Sequence, residues 1–320
     1  MNHNMNISLV SFKVVNVVEN TIEIPKGVSM IKAPDFWVKG DKGKGIVVAV
    51  IDSGCDCNHV DLKDRIIGKR NFTDDDNGNV DIVTDYVGHG THVAGTIAAT
   101  QNGQGVVGVA PKCSLLILKA LNKKGQGTEE DVARAIDYAV SKKVNIISMS
   151  LGSNEETPLV HEAIKRAVAN NILVVCAAGN SGDSNADTDE LSYPAIYDEC
   201  ISVGAVDYSK NIAYFTNSNK WVDLVAPGVN IMSTYPNNKY ASLKGTSMAT
   251  PHVTGALALI INWSRREFGR ELTETELYAQ LIKHTACLGF KKTLVGKGLL
   301  YLLAPQILEN YIARASILKL

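Results

Sequence analysis

A chain of 320 residues, 45% hydrophobic and 20% charged, is long enough to bury a large core and reads most simply as one α/β domain. A formal net charge of −1, with no clustered Lys/Arg stripe, excludes nucleic acid as a partner. The longest apolar runs, such as 172–178 and 256–261, fall far short of the roughly 20 residues that cross a bilayer, which excludes the membrane.

The first ten residues carry no basic stretch followed by a long apolar one, so no secretory signal is expected and the cytoplasm is the expected location. Residues 1–20 show no turn-bounded element ahead of Pro25-Lys26-Gly27 and are expected to form a separable arm, with 21–320 as the main domain. Strands are expected at 46–51, 114–121, 145–149, 172–177 and 201–205, several of them apolar at nearly every position, as in strands covered on both faces. Between them, Thr128 caps a helix carrying Val132, Ile136 and Val140 on one face, and Thr157-Pro158 opens another carrying Val160, Ile164 and Val168. That alternation predicts a three-layer α/β domain: a mostly parallel sheet flanked by helices, with working residues at the carboxyl ends of strands. The stretch 274–312 reads as a helix, a Gly-rich turn and a final helix. Cys55, Cys57, Cys113, Cys176, Cys200 and Cys287 fall mostly in apolar runs, which suits free thiols in a reducing compartment better than disulfides.

Three segments place a short polar residue where a strand ends or a helix begins. In Val47-Val48-Ala49-Val50-Ile51-Asp52-Ser53-Gly54 a carboxylate closes a buried strand, which is costly unless it is bonded; capping the next turn is the plain alternative. In Gly88-His89-Gly90-Thr91-His92-Val93-Ala94-Gly95-Thr96 two histidines open a closely packed helix. The zinc-helix pattern would need a His pair four apart with a Glu between, and a satisfied core histidine suits His92 better than His89. In Gly245-Thr246-Ser247-Met248-Ala249-Thr250-Pro251-His252, Ser247 lies at the first turn of a buried helix, where free N–H groups favour an oxyanion; an ordinary N-cap is the alternative. Pro251 is expected in or near that first turn. A serine is a weak nucleophile until an imidazole takes its proton, and the imidazole needs a carboxylate to fix its tautomer, so the three segments together suggest a triad.

Those three blocks, in that order, resemble the signature blocks of the subtilisin family over roughly residues 25–305. The resemblance implies a subtilisin-like fold and a serine endopeptidase acting on proteins and peptides, with Asp52 orienting, His89 as base and Ser247 as nucleophile. Ala177-Ala178-Gly179-Asn180 resembles the oxyanion segment, with the Asn180 amide and the Ser247 N–H as donors. Ser150-Leu151-Gly152 and Lys124-Gly125-Gln126-Gly127 resemble the two edges that pair with an extended substrate. Pocket walls of Leu151, Gly152, Ala177, Ala178 and Gly179 are small and apolar, so a large apolar residue is expected before the cut. Calcium is the implied cofactor: Thr100, Asn102, Gln104 and Val106 resemble a calcium loop completed by Asp61, and a second site is implied near Ala195, Tyr197 and Asp207.

A closer resemblance is to the intracellular subtilisins. It rests on the missing signal, the absence of a long pro-domain, Cys55, and Asn71-Phe72-Thr73-Asp74-Asp75-Asp76. It implies a homodimer and an N-terminal arm that blocks the site through a Leu-Ile-Pro-Tyr motif. Here Leu9-Val10-Ser11-Phe12 stands in its place, without the proline, and His59-Val60-Asp61 lacks the usual central Pro.

Other patterns lead elsewhere and fail. Gly103-Gln104-Gly105-Val106-Val107-Gly108 fits a dinucleotide fingerprint out of context. Asp74-Asp75-Asp76-Asn77-Gly78 misses the EF-hand spacing and reads as a solvated acidic loop. Cys55, Cys57 and His59 have no second ligand cluster. An α/β-hydrolase would need an acid and then a His after the Ser, yet no Asp follows Ser247. A pseudoprotease that binds peptides without cutting them is the rival from another class.

Overall fold

The computed structural model describes residues 6–317. Three short strands come first, β1 (Ile7–Leu9), β2 (Lys13–Val18) and β3 (Ile22–Glu23), which corrects the expectation of an arm without elements; the arm's first five positions lie outside the described residues. The strands are not visible in the sequence because their order comes from partners on the main domain. Five of the six β2 residues are exposed, so no internal pattern marks it.

Two short helices, α1 (Lys26–Met30) and α2 (Ala33–Phe36), lead into β4 (Val47–Asp52) and β5 (Ile66–Asn71). The chain continues through α3 (His89–Ala98), β6 (Gly105–Val106), β7 (Ser114–Lys119), β8 (Gln126–Gly127) and α4 (Glu129–Ser141). Next come β9 (Ile146–Met149), β10 (Leu151–Gly152), α5 (Pro158–Ala169), β11 (Leu173–Ala177), β12 (Ile201–Val206) and β13 (Leu224–Pro227). The hairpin β14 (Ile231–Tyr235) and β15 (Lys239–Lys244) feeds the long helix α6 (Thr246–Phe268). The chain closes with α7 (Glu274–Lys283), β16 (Thr285–Ala286), α8 (Lys292–Val295), β17 (Leu299–Leu300) and α9 (Ala304–Ile317). The final region therefore has more parts than the expected helix, turn and helix.

The five expected strands all lie in one sheet with the order β16-β17-β13-β12-β11-β9-β4-β7-β5. Every pairing in it is parallel except β16 with β17. Alternate side chains of β4 show why this sheet needs helices on both faces. Val48 and Val50 enter the layer of α3 and α6, whereas Ala49 and Ile51 enter the layer of α4 and α5. Thr128 caps α4 by accepting from the Asp131 N–H, and Pro158 begins α5. The three-layer α/β reading holds.

His92 and His252 lie fully buried in the α3/α6 layer. His92 Nε2 donates to the carbonyls of Ile231 and Ala241 at 2.9 and 3.1 Å, and His252 Nδ1 donates to Met248 O at 2.8 Å. The other nitrogen of each ring is buried without a partner. Burial therefore pushes His92 down to about 3 and His252 to about 4. Both stay neutral in the folded chain and take up protons once it unfolds, so their contribution is complete above pH ~6.5 and is lost as pH falls. We expect stability to fall by up to about 1.4 kcal/mol per pH unit for each histidine below pH ~6.5. Urea titrations at pH 7, 6 and 5 would read this slope; a flat midpoint across that range would contradict it.

Candidate active site

Asp52 is the last residue of β4 and is 1% exposed. Its carboxylate accepts from His89 Nδ1 at 2.8 and 3.0 Å and from the Ser53 N–H at 2.7 Å. That bond occupies Nδ1 and leaves Nε2 of His89 as the nitrogen free to accept a proton. His89 opens α3, and the device holding it there is Asp85, which the sequence reading missed. The Asp85 carboxylate accepts from Val87 N, Gly88 N, Thr91 N, Thr91 Oγ1 and Ser53 Oγ, at 2.7–3.1 Å. It thus caps the His89 helix and, through Ser53, ties that helix to the Asp52 turn. An Asp four residues before a helix start was a signal that could have been used. Lys119 was also missed. Fully buried at the end of β7, its Nζ donates to Ser53 O and Thr84 O at 2.7 and 3.1 Å and pairs with Asp75 at 3.1 Å. Asp75 is therefore not part of a solvated loop: the buried ammonium draws it in.

Ser247 is the second residue of α6. Pro251 lies beyond the first turn, a correction to its expected position, and a proline there leaves the carbonyl four residues earlier without its helical donor. That carbonyl is Ser247 O, and Ser150 Oγ donates to it at 3.1 Å. Ser247 Oγ in turn donates to Ser150 O at 3.3 Å, while His89 Nε2 is buried without a partner. His89 and Ser247 are thus not hydrogen-bonded to each other, and a link of this kind often tightens only in a reacting complex.

Asn180 follows β11 and accepts from the Thr246 N–H through Oδ1 at 2.9 Å, which fixes the amide face. Gly179 before it has φ +111°, and a Cβ there would lie 2.2 Å from Asn217 Nδ2, so only glycine fits. Ala177 and Ala178 are buried at the end of β11, beside Gly179. The Nδ2 of Asn180 donates to a carbonyl of the chain itself, that of Ser11.

The arm fills the cleft. β1 pairs antiparallel with β8 and β10, matching Ile7 with Gly127, Ser8 with Gln126 and Gly152, and Leu9 with Leu151. Leu9 N donates to Gly125 O at 2.9 Å. Val10 lies over Gly152, 3.4 Å from where a Cβ would be, and the Phe12 ring packs on His89 with centroids 4.7 Å apart. Of the expected edge residues, Lys124 and Ser150 stay outside this pairing: Lys124 lies in the exposed turn, where its N–H donates to Asn122 Oδ1, and Ser150 is buried against Ser247.

Asp61 and the loop 100–106 do come together. Asp61 is fully buried and accepts from Asn102 Nδ2 at 2.9 Å and from Val106 N at 3.1 Å; its carbonyl accepts from Thr100 N at 2.8 Å. Gln104 N donates to Asn102 Oδ1, closing the loop. Thr100 Oγ1 is buried without a partner, and among the described residues no Lys or Arg pairs with Asp61. A buried carboxylate with no Lys or Arg beside it, next to a buried hydroxyl without a partner, has the oxygen chemistry that a hard divalent ion would suit. The second expected site is not assembled. Ala195 and Tyr197 precede β12 and Asp207 follows it, so the six-residue strand separates them; Asp207 instead caps its own turn by accepting from Ser209 N and Asn211 N. His59 bonds the Lys239 carbonyl and the Asp61 N–H, so both its ring nitrogens are engaged. All six cysteines are free, as expected.

Residues 43–304 match the subtilase family. An intracellular serine protease of Paenibacillus polymyxa is 56% identical over 304 residues, covering 95% of this chain and 93% of the relative. The major intracellular serine protease of Bacillus subtilis (strain 168) is 52% identical over 318 residues, covering 99% and 100%. Subtilisin E of the same organism is 41% identical over 259 residues, covering 80% and 66%.

Removing the carboxylate that joins the two halves of this site should be felt by the whole fold. Asp85→Ala leaves five donors without their acceptor, and we expect a loss of about 3 kcal/mol. Urea unfolding at pH 7 measures it, and a midpoint equal to the parent's would refute the capping argument.

Proposed function

Because the chain belongs to the subtilase family and is a serine endopeptidase, we propose that it cuts peptide bonds through an acyl-enzyme on Ser247. In this mechanism Ser247 Oγ leaves the Ser150 carbonyl and gives its proton to His89 Nε2 as it attacks. Asp52 holds the imidazole in the tautomer that can accept that proton and stabilises the imidazolium. The Asn180 amide and the Ser247 N–H, at the positive end of α6, stabilise the tetrahedral oxyanion. His89 then protonates the leaving amine, and a water activated by the same nitrogen hydrolyses the acyl-enzyme. The observation that carries this reading is that the Asn180 amide already holds a peptide carbonyl, beside a histidine bonded to a buried aspartate.

The same observation supports a zymogen. Residues 7–12 lie along both edges as a substrate would and cover His89 with Phe12, so activity requires that the arm of residues 1–20 be cut and leave the main domain 21–320. Lys124, Gly125, Gln126, Gly127, Ser150, Leu151 and Gly152 would then pair with substrate. The small walls at Gly152, Ala177, Ala178 and Gly179 favour a large apolar residue before the cut. Asp61, Thr100, Asn102, Gln104 and Val106 would hold calcium, which neutralises the buried Asp61 charge and stiffens the loop without entering the chemistry. A cytoplasmic location follows the printed names of the two most similar relatives reported above, which are called intracellular. Among the described residues no helix is long and apolar enough to cross a membrane. A homodimer is supported by Ile307, Leu308 and Tyr311, exposed together on α9.

Two experiments test these readings. A fluorophosphonate probe should label Ser247 in protein lacking the first ~20 residues (the arm), label the full-length chain slowly, and fail on Ser247→Ala. No adduct in the shortened protein would leave a peptide-binding pseudoprotease instead, and equal rates in both forms would end the zymogen idea. Prolonged chelation should hasten thermal inactivation, and Asp61→Asn should remove that sensitivity; inactivation indifferent to chelator would count against calcium.

A further inference from the structure

The arm does not end at the active site. After Ser11 and Phe12 it continues as β2, which pairs antiparallel with β15 over Lys13–Lys244, Val14–Leu243, Asn16–Ser242, Val17–Ala241 and Val18–Tyr240, with one irregularity between Ser242 and Leu243. Glu19 closes the run on Lys239 at 2.7 Å. β15 has β14 on one side and β2 on the other, so without β2 it is an edge strand with a free row of backbone donors and acceptors. This edge starts three residues before Ser247, where the leaving side of a cut peptide would emerge.

The way β2 is held matters. Lys13, Val14, Val15, Asn16 and Val17 all expose their side chains, and within β2 only Val18 is half-buried, against the small cluster of Ala99, Val106 and Tyr240. Attachment therefore comes from the backbone ladder, which makes almost no demand on sequence. We propose that β15, from Tyr240 to Lys244, is a docking edge for the extended substrate segment that follows the cut bond, and that β2 is its placeholder in the uncut chain. This rests on the reading of the arm as a displaced stand-in for substrate. The partner it fits is an unfolded polypeptide several residues longer on the leaving side than the catalytic centre itself requires. A folded loop or a short peptide could not lie along the whole edge. The two ends of the edge are marked by Lys244 and Lys239, and the latter holds Glu19, so an acidic residue at the far end of the segment is favoured.

The test uses full-length protein that has processed itself, with the N-terminus of the active form read by mass spectrometry. Two quenched peptides share the residues before the cut but carry about two or about eight residues after it, the longer matching the span of β2. We expect kcat/KM about tenfold higher for the longer peptide, mostly through KM, as several added backbone hydrogen bonds would give. N-methylating alternate leaving-side residues of the long peptide, which leaves the enzyme untouched, should return it to the value of the short one. Equal values for peptides cut at the same bond would overturn the docking edge and leave the peptidase reading standing. An active form that keeps residues 13–18 would overturn it as well, since β15 would then be permanently covered.

Discussion

A carboxylate buried at the end of a strand is the constraint on which this site depends. Asp52 can stay charged with 1% exposure only if donors converge on it, and the donors come from its own turn and from His89. That turn must be held as well. Asp85 holds it through Ser53, and Lys119 holds it through the Ser53 carbonyl. Three buried charges thus stabilise one another's surroundings at the carboxyl edge of β4 and β7, and the helix bearing the base is fastened to the same cluster. The result is preorganisation of one half of the site: the imidazole is fixed on Asp52 when the chain folds, while its link to Ser247 is still to be made.

Much of this was legible in the sequence where the physics is local. Buried strands announce themselves by apolar runs, so β4, β7, β9, β11 and β12 were readable within a residue or two. Asp52, His89, Asn180 and Ser247 were readable because each breaks such a pattern with chemistry that a core does not need. What escaped depends on tertiary partners. Lys119 ends the run Ser-Leu-Leu-Ile-Leu-Lys and looks like a solvated strand end, yet it is fully buried because three acceptors from distant loops meet it. The second cation site failed because loop residues close in sequence, Tyr197 and Asp207, flank a strand that keeps them apart. β2 escaped because an exposed edge strand has no periodicity to read.

The N-terminal strands show how little sequence is needed to occupy a cleft built from backbone. β1 adds to β8 and β10, β2 adds to β15, and β3 pairs with β6 beside Asp61. A single stretch of chain thereby touches β8 and β10, His89, Asn180 and the proposed cation loop. Its hold on each is a few hydrogen bonds, modest singly and considerable together. A missing proline in Leu9-Val10-Ser11-Phe12 matters less to the proposed blockage in such an arrangement, because the arm's contacts are distributed along the path.

Pro251 and Ser150 have a further consequence. The proline frees the carbonyl of Ser247, and Ser150, which runs directly into β10, supplies the hydroxyl that satisfies it and the carbonyl that receives Ser247 Oγ. Two hydrogen bonds thereby tie the start of β10, the proposed substrate edge, to the proposed nucleophile. Like a jig that carries both workpiece and tool, the Ser150–Ser247 clasp converts accuracy of grip into accuracy of attack.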